Sequence, residues 1–200
     1  LPVIDVANFD EAIRKLEELF KILKSRAPPP ESPEAYFLVH YEEYIKHLKV
    51  LREKVMPVLN DPGLLWSGIH GDYHPRNMLW EKEEVSAILD FGYSAIGPRI
   101  IDLANVMLET DGKFDIEKIR SFLRKFQTYQ STAGQALTEL ECRLLPEMFR
   151  RLYLQGILFQ ANMLARTDSL TKGKRKKIMR VLKNATEDLE RLQEVYDQII

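Results

Sequence analysis

Asp72, Asn77 and Asp90 are the residues of this chain whose types and spacing suit chemistry. Asp72 and Asn77 lie five positions apart in His70-Gly71-Asp72-Tyr73-His74-Pro75-Arg76-Asn77, and Asp90 follows in Ile88-Leu89-Asp90-Phe91-Gly92. Two carboxylates and an amide are hard oxygen donors. Magnesium favours such donors, keeps several waters, and commonly takes one or two carboxylates together with substrate phosphates. A carboxylate left off the metal can accept the proton of an attacking hydroxyl. Phosphoryl transfer uses this combination, because its loose transition state needs positioning and charge stabilisation more than covalent help.

The spacing is also the catalytic-loop pattern of protein kinases. There the Asp takes or orients the hydroxyl proton, the Asn holds magnesium, and the Asp of Asp-Phe-Gly is the other magnesium ligand. More closely, the chain resembles the C-terminal lobe of the aminoglycoside phosphotransferase, choline kinase and homoserine kinase group. That group writes His-Gly-Asp where protein kinases write His-Arg-Asp. It then has an Asp ending a hydrophobic strand, and a Gly-Pro-x-x-x-Asp-Leu-Ala segment. All three pieces are present in order: His70-Gly71-Asp72 with Asn77, Asp90, and Gly97-Pro98-Arg99-Ile100-Ile101-Asp102-Leu103-Ala104.

The resemblance implies roles residue by residue. Asp72 is the catalytic base, and Asn77 and Asp90 hold Mg2+, with ATP as co-substrate. His74 takes the place of a phosphate-contacting Lys and touches the γ-phosphate, helped by Arg76, or it only shapes the loop. Leu79 matches the floor under adenine, although an ordinary core leucine would look the same. Asp102 braces the catalytic loop or caps the helix that follows it. His70 reads as a structural hydrogen-bonding residue.

Composition bounds the rest. Two hundred residues suit one domain or lobe with a sizeable core. A hydrophobic content of 45% with 30% charged residues reads as soluble and globular. A net charge of −1 gives no global pull towards nucleic acid or an anionic membrane. The single cysteine, Cys142, excludes an intrachain disulfide and fits a reducing, cytoplasmic setting as a packed thiol. No apolar run reaches the roughly 18–20 residues that span a bilayer, and no signal peptide is apparent.

The elements that position these residues follow from pattern. Apolar side chains at Ile13, Leu16, Leu19, Phe20 and Leu23 predict a helix over 9–26 with Asn8 as its cap. Ala27-Pro28-Pro29-Pro30 ends it. Ser32-Pro33 starts a second helix running to about Met56, whose aromatic stripe is core. Residues 64–69 predict a strand feeding the loop, and 78–80 with 85–89 a hairpin. Asn77 then opens one strand and Asp90 ends its partner, which brings the two ligands together. Helices are expected near 101–110, 115–130, 137–166 and 172–198. Breaks fall at Asp111-Gly112 and Ser131–Gly134, and Pro146 kinks the third helix or shifts its start. The basic run Lys172–Lys177 reads as a solvated helix face.

The fold expectation is therefore α+β: a protein kinase-like C-terminal lobe, mostly helical, with short strands carrying the loop. It divides into a helical lead-in over 1–60, a catalytic and metal-binding core over 61–104, and a helical subdomain over 105–200. The chain lacks a Gly-x-Gly-x-x-Gly loop, a Walker motif and a Val-Ala-Ile-Lys-like strand, so the nucleotide-covering lobe is expected to lie outside it. The functional expectation is an ATP- and Mg-dependent small-molecule kinase whose partner is a small hydroxyl acceptor, with neither nucleic acid nor membrane. The acceptor is an aminoglycoside, a choline-like or a homoserine-like compound. A non-catalytic binding module with the same fold is the alternative. A eukaryotic-like protein kinase is a third reading, opposed by Gly71 and by the lack of an Ala-Pro-Glu segment.

Overall fold

The computed structural model describes residues 1–4, 8–108, 115–132, 136–167 and 169–194. The helix period of residues 9–26 becomes α1, Phe9–Ser25, and Asn8 caps it by accepting the Glu11 N–H at 3.3 Å. α2 spans Pro33–Val55 behind Ser32, whose hydroxyl accepts the Ala35 N–H at 3.1 Å. The remaining helices are α3, Ile100–Leu108; α4, Ile116–Thr132; α5, Glu139–Arg166; and α6, Lys172–Glu194. The expected break at Asp111-Gly112 lies outside the described residues, as do Ala133 and Gly134. Pro146 sits well inside α5, which already begins at Glu139. It therefore does not set the start of that helix.

The chain divides into two compact units. One comprises Ala7–Met56 and Arg150–Glu194. Here α2 packs on α1 and on α6. Leu16, Leu19 and Leu23 of α1, Phe37, Tyr44 and Leu51 of α2, and Leu182 and Leu189 of α6 are buried. The Tyr44 hydroxyl shares a 2.8 Å hydrogen bond with the Thr186 hydroxyl, which satisfies both polar atoms inside this core. Glu34 is buried and paired with Arg175. Arg26 donates to the last carbonyls of α5, at Leu164 (3.0 Å) and Ala165 (2.5 Å), closing the orphan acceptors of that helix end. The Arg150 guanidinium, fully buried, donates to His47 Nδ1, while Glu43 lies 3.8 Å from His47 Nε2. The first turns of α6 carry Lys172, Lys174, Lys176 and Lys177 exposed to solvent.

The other unit comprises Leu1–Val6, Pro57–Phe149 and Val195–Ile200. Its strands are β1, Trp66–Ile69; β2, Met78–Glu81; β3, Glu84–Ile88; and β4, Ala95–Pro98. β2 and β3 form the expected hairpin, with a bulge between Leu79 and Trp80. β4 was not expected. It runs antiparallel to β1, Ile69 opposite Ala95 and Trp66 opposite Pro98. The N-terminal residues add a parallel bridge at Val3–Ile96. Gly97 suits that crossing, because a Cβ there would stand 2.5 Å from Ile4 Cγ2 and 2.8 Å from Ile69 Cδ1 and would force those side chains to shift. Residue order and pairing now fix a geometry. β1 leads to β2 through residues 70–77, and β3 leads to β4 through residues 89–94. With β1 paired to β4 and β2 to β3, both connections hang between the same two ribbons.

Candidate active site

Three devices hold the 70–77 segment in place. The first is Asp102, in the first turn of α3. Its carboxylate accepts the backbone N–H of His70 at 2.7 Å and of Gly71 at 2.9 Å. Those two donors belong to the loop and not to the helix's own first turn. Asn105, one turn further along the same face and buried, places its side-chain amide 3.4 Å from the Gly71 carbonyl.

His70 is the second device. The Asp72 backbone N–H donates to its Nδ1 at 3.3 Å, so the neutral ring carries its hydrogen on Nε2. That Nε2 donates to the Leu89 carbonyl at 2.7 Å. The buried imidazole thus links the segment carrying Asp72 to the residue before Asp90. Phe91 and Tyr73 lie against the ring, with centroids 4.8 and 5.9 Å away.

Gly71 is the third. It adopts φ of +79°, and a Cβ there would meet the Tyr93 carbonyl oxygen at 2.3 Å. Only glycine combines that backbone with that approach. This accounts physically for Gly at the position where protein kinases write Arg.

Asp72, His74 and Asn77 come together. The Asn77 side-chain amide donates to the Asp72 carbonyl at 2.9 Å and to Asp72 Oδ2 at 3.0 Å. His74 Nε2 stands 3.4 Å from the same Oδ2. The Arg76 backbone N–H donates to His74 Nδ1 at 3.2 Å, so in the neutral ring the nitrogen facing Asp72 carries the hydrogen. Among the described residues no hydrogen bond reaches Asp72 Oδ1. The Asp72 side chain remains 39% exposed, which leaves that oxygen open to a ligand.

Asn77 closes a single 3₁₀ turn, Pro75–Asn77, immediately before β2. Its carbonyl accepts the Leu89 N–H at 2.8 Å, which brings the backbone of Asn77 beside the residue preceding Asp90. Asp90 is exposed and left-handed, with φ of 59° and ψ of 64°, a conformation that Asp tolerates better than most residues. Its carboxylate makes no hydrogen bond or ion pair among the described residues. The Asn77 amide turns its nitrogen to Asp72, which leaves its oxygen for another partner. One carboxylate and one amide oxygen fit Mg2+, which completes its shell with water and phosphate. No cluster of three His, Cys, Asp or Glu side chains suited to a metal occurs among the described residues.

Leu79 is 50% exposed on β2, so it is not an ordinary core leucine. Trp80, Val85, Ile88 and Leu89 expose apolar surface on the same hairpin and the connection after it. Arg76 is exposed beside the loop. Sequence reasoning missed two groups in this unit: Asn105, and the Arg99–Glu141 ion pair described below. Asn105 had a signal, since it lies three residues after Asp102 and so on the same helix face.

No helix among the described residues is long and apolar enough to cross a membrane. No match to a curated protein was found. Residues 4–140 match the profile of the phosphotransferase enzyme family, and that stretch contains every residue of the cluster just described. The chain belongs to the phosphotransferase enzyme family.

Proposed function

We propose that this protein transfers the γ-phosphate of ATP, with Mg2+, to a hydroxyl of a small, amino-bearing molecule. The observation that carries the reading is the oriented carboxylate of Asp72. Oδ2 is occupied by the Asn77 amide and faced by His74, and Oδ1 is left for a ligand. In this reading Oδ1 accepts the hydrogen bond of the acceptor hydroxyl and takes its proton as the new P–O bond forms and the bond from the γ-phosphorus to the β–γ bridging oxygen breaks, releasing ADP. Asn77 and Asp90 hold the metal, whose bound form supplies charge neutralisation on the phosphates. Asp102 and His70 keep the loop backbone in register. Leu79 and Arg76 serve the nucleotide, the first through its exposed apolar face. An aminoglycoside, a choline-like and a homoserine-like alcohol are the acceptor classes. The 200 residues hold no glycine-rich phosphate loop. The β- and γ-phosphates are therefore covered by residues outside them, or the site works as a binding module without turnover.

The test is phosphate transfer from radiolabelled ATP to a panel of amino alcohols, aminoglycosides and hydroxyl amino acids. It is run with the chain and with the complete gene product. Transfer that falls by a factor of about 10²–10⁴ in Asp72→Ala supports the assignment. Unchanged turnover in that variant overturns it, and transfer to none of the panel in either preparation favours the binding module.

A further inference from the structure

Arg99 follows Gly97-Pro98 and precedes α3, and its surroundings go beyond what a helix-start residue needs. Its Nε and Nη2 reach the two carboxylate oxygens of Glu141 at 2.8 and 2.7 Å, a bidentate pair. Glu141 is fully buried, and its Oε2 also accepts the Thr138 N–H at 2.9 Å. Arg99 Nη2 donates in addition to the Ala136 carbonyl at 2.9 Å. The backbone N–H of Arg99 donates to the Leu65 carbonyl at 3.1 Å, one residue before β1. The Thr138 hydroxyl reaches the Gly63 carbonyl. Three stretches far apart in sequence are therefore tied at one point: the entry to β1, the exit of β4, and the first turn of α5. All of them lie in the unit that carries Asp72. The Glu141 carboxylate holds the Arg99 guanidinium charged, raising its pKa further.

From this knot the chain runs one way through β1 directly into His70. It runs the other way through two residues, Ile100 and Ile101, into Asp102, whose carboxylate holds the N–H groups of His70 and Gly71. The loop is anchored at both ends of a path that Arg99 fixes in the middle. We propose that Arg99 and Glu141 are positioning residues for Asp72: the part-buried pair sets α3 against β1 so that Asp102 meets the loop backbone. As a statement about catalysis this rests on the phosphotransfer reading. As a statement about loop geometry it does not.

The experiment uses amide hydrogen exchange by NMR together with steady-state kinetics on Arg99→Gln and Glu141→Gln. The expected result is at least a tenfold loss of protection at the His70 and Gly71 amides, with Leu182 and Leu189 of the other unit unchanged. Where the wild type transfers phosphate, kcat falls about tenfold or more while KM for ATP stays within twofold. Wild-type protection at His70 and Gly71 in both folded variants overturns the proposal. Should either Gln variant lose protection everywhere, Arg99→Lys decides. Lys keeps the charge but not the bidentate geometry. A selective, partial loss at His70 and Gly71 then supports the proposal. Either wild-type protection or global loss in Arg99→Lys overturns it. A wild type that transfers no phosphate yet shows the selective exchange pattern sinks the functional reading and leaves the positioning role standing.

Discussion

Asp72 presents two unlike oxygens, and the difference decides what His74 is for. Oδ2 carries the Asn77 amide and faces His74 Nε2, whose hydrogen is fixed by the Arg76 N–H on the other ring nitrogen. A His that orients the base acts on kcat, whereas one that grips the γ-phosphate acts on KM for ATP. We propose orientation, on the 3.4 Å approach of Nε2 to Oδ2, so His74→Leu is expected to lower kcat severalfold with KM for ATP unchanged. A raised KM at constant kcat in steady-state assays would point to the phosphate instead. Gly71 offers a second prediction at this scale. Gly71→Ala forces a side chain into left-handed backbone, at about 1–2 kcal/mol, and pushes its Cβ onto the Tyr93 carbonyl. That displacement is on the order of 1 Å, enough for about a hundredfold loss of turnover. A lowered melting temperature with wild-type kcat would show that the loop absorbs the strain elsewhere.

At the scale of elements, legibility depended on whether the determining interactions are local. α1 and α2 were readable because their apolar period, their Asn8 and Ser32 caps and the Pro28–Pro30 break all lie within a few residues. β4 was not readable. Ala95-Ile96-Gly97-Pro98 has a glycine and a proline in four residues, and it is a strand only because β1 pairs with it across 25 intervening residues or more. The site divides in the same way. The 72–77–90 spacing is written in the chain. The His70 link to Leu89, the Asp102 grip 31 and 32 residues away and the Arg99–Glu141 pair 42 residues apart exist only in three dimensions. A buried histidine in the helical unit gives a prediction here. Burial first, and then the Arg150 guanidinium, lower the pKa of His47 below its ordinary value, with Glu43 partly opposing and Lys46 adding to the depression. The unfolded chain therefore binds this proton more readily than the folded one. Its contribution is intact above about pH 6.5 and is lost as pH falls from there towards the depressed folded value. Amide exchange at Leu182 and Leu189 should accelerate between pH 7.5 and pH 5.5 after correction for the intrinsic rate, and His47→Gln should flatten that trend. An equal trend in the variant would assign the pH dependence to other groups.

Across the whole molecule the two units have separate reporters. Both tryptophans, Trp66 and Trp80, belong to the unit that carries Asp72, and the α1–α2–α6 unit has none. Tryptophan fluorescence therefore follows unfolding of the unit in which nucleotide would bind. A ligand held by the folded state alone stabilises by about 2.7 kcal/mol at a hundred times its dissociation constant. For a chain of this size that corresponds to a rise of roughly 5–11 °C in the transition, at about 2–4 °C per kcal/mol. Mg-ATP should move the fluorescence-detected transition upward by that order at saturation. Chelating the metal should remove most of the shift, because a triphosphate without its cation faces the Asp72 and Asp90 carboxylates as like charge. Asp90→Ala should remove it too, and by a different route. Asp90 is exposed and its side chain makes no hydrogen bond among the described residues, so the variant, losing only the tolerance of Asp for left-handed backbone, should melt slightly below the wild-type temperature without ligand and yet fail to respond to Mg-ATP. A full ATP shift in Asp90→Ala, or one indifferent to magnesium, would take Asp90 out of the metal site while leaving the nucleotide in place.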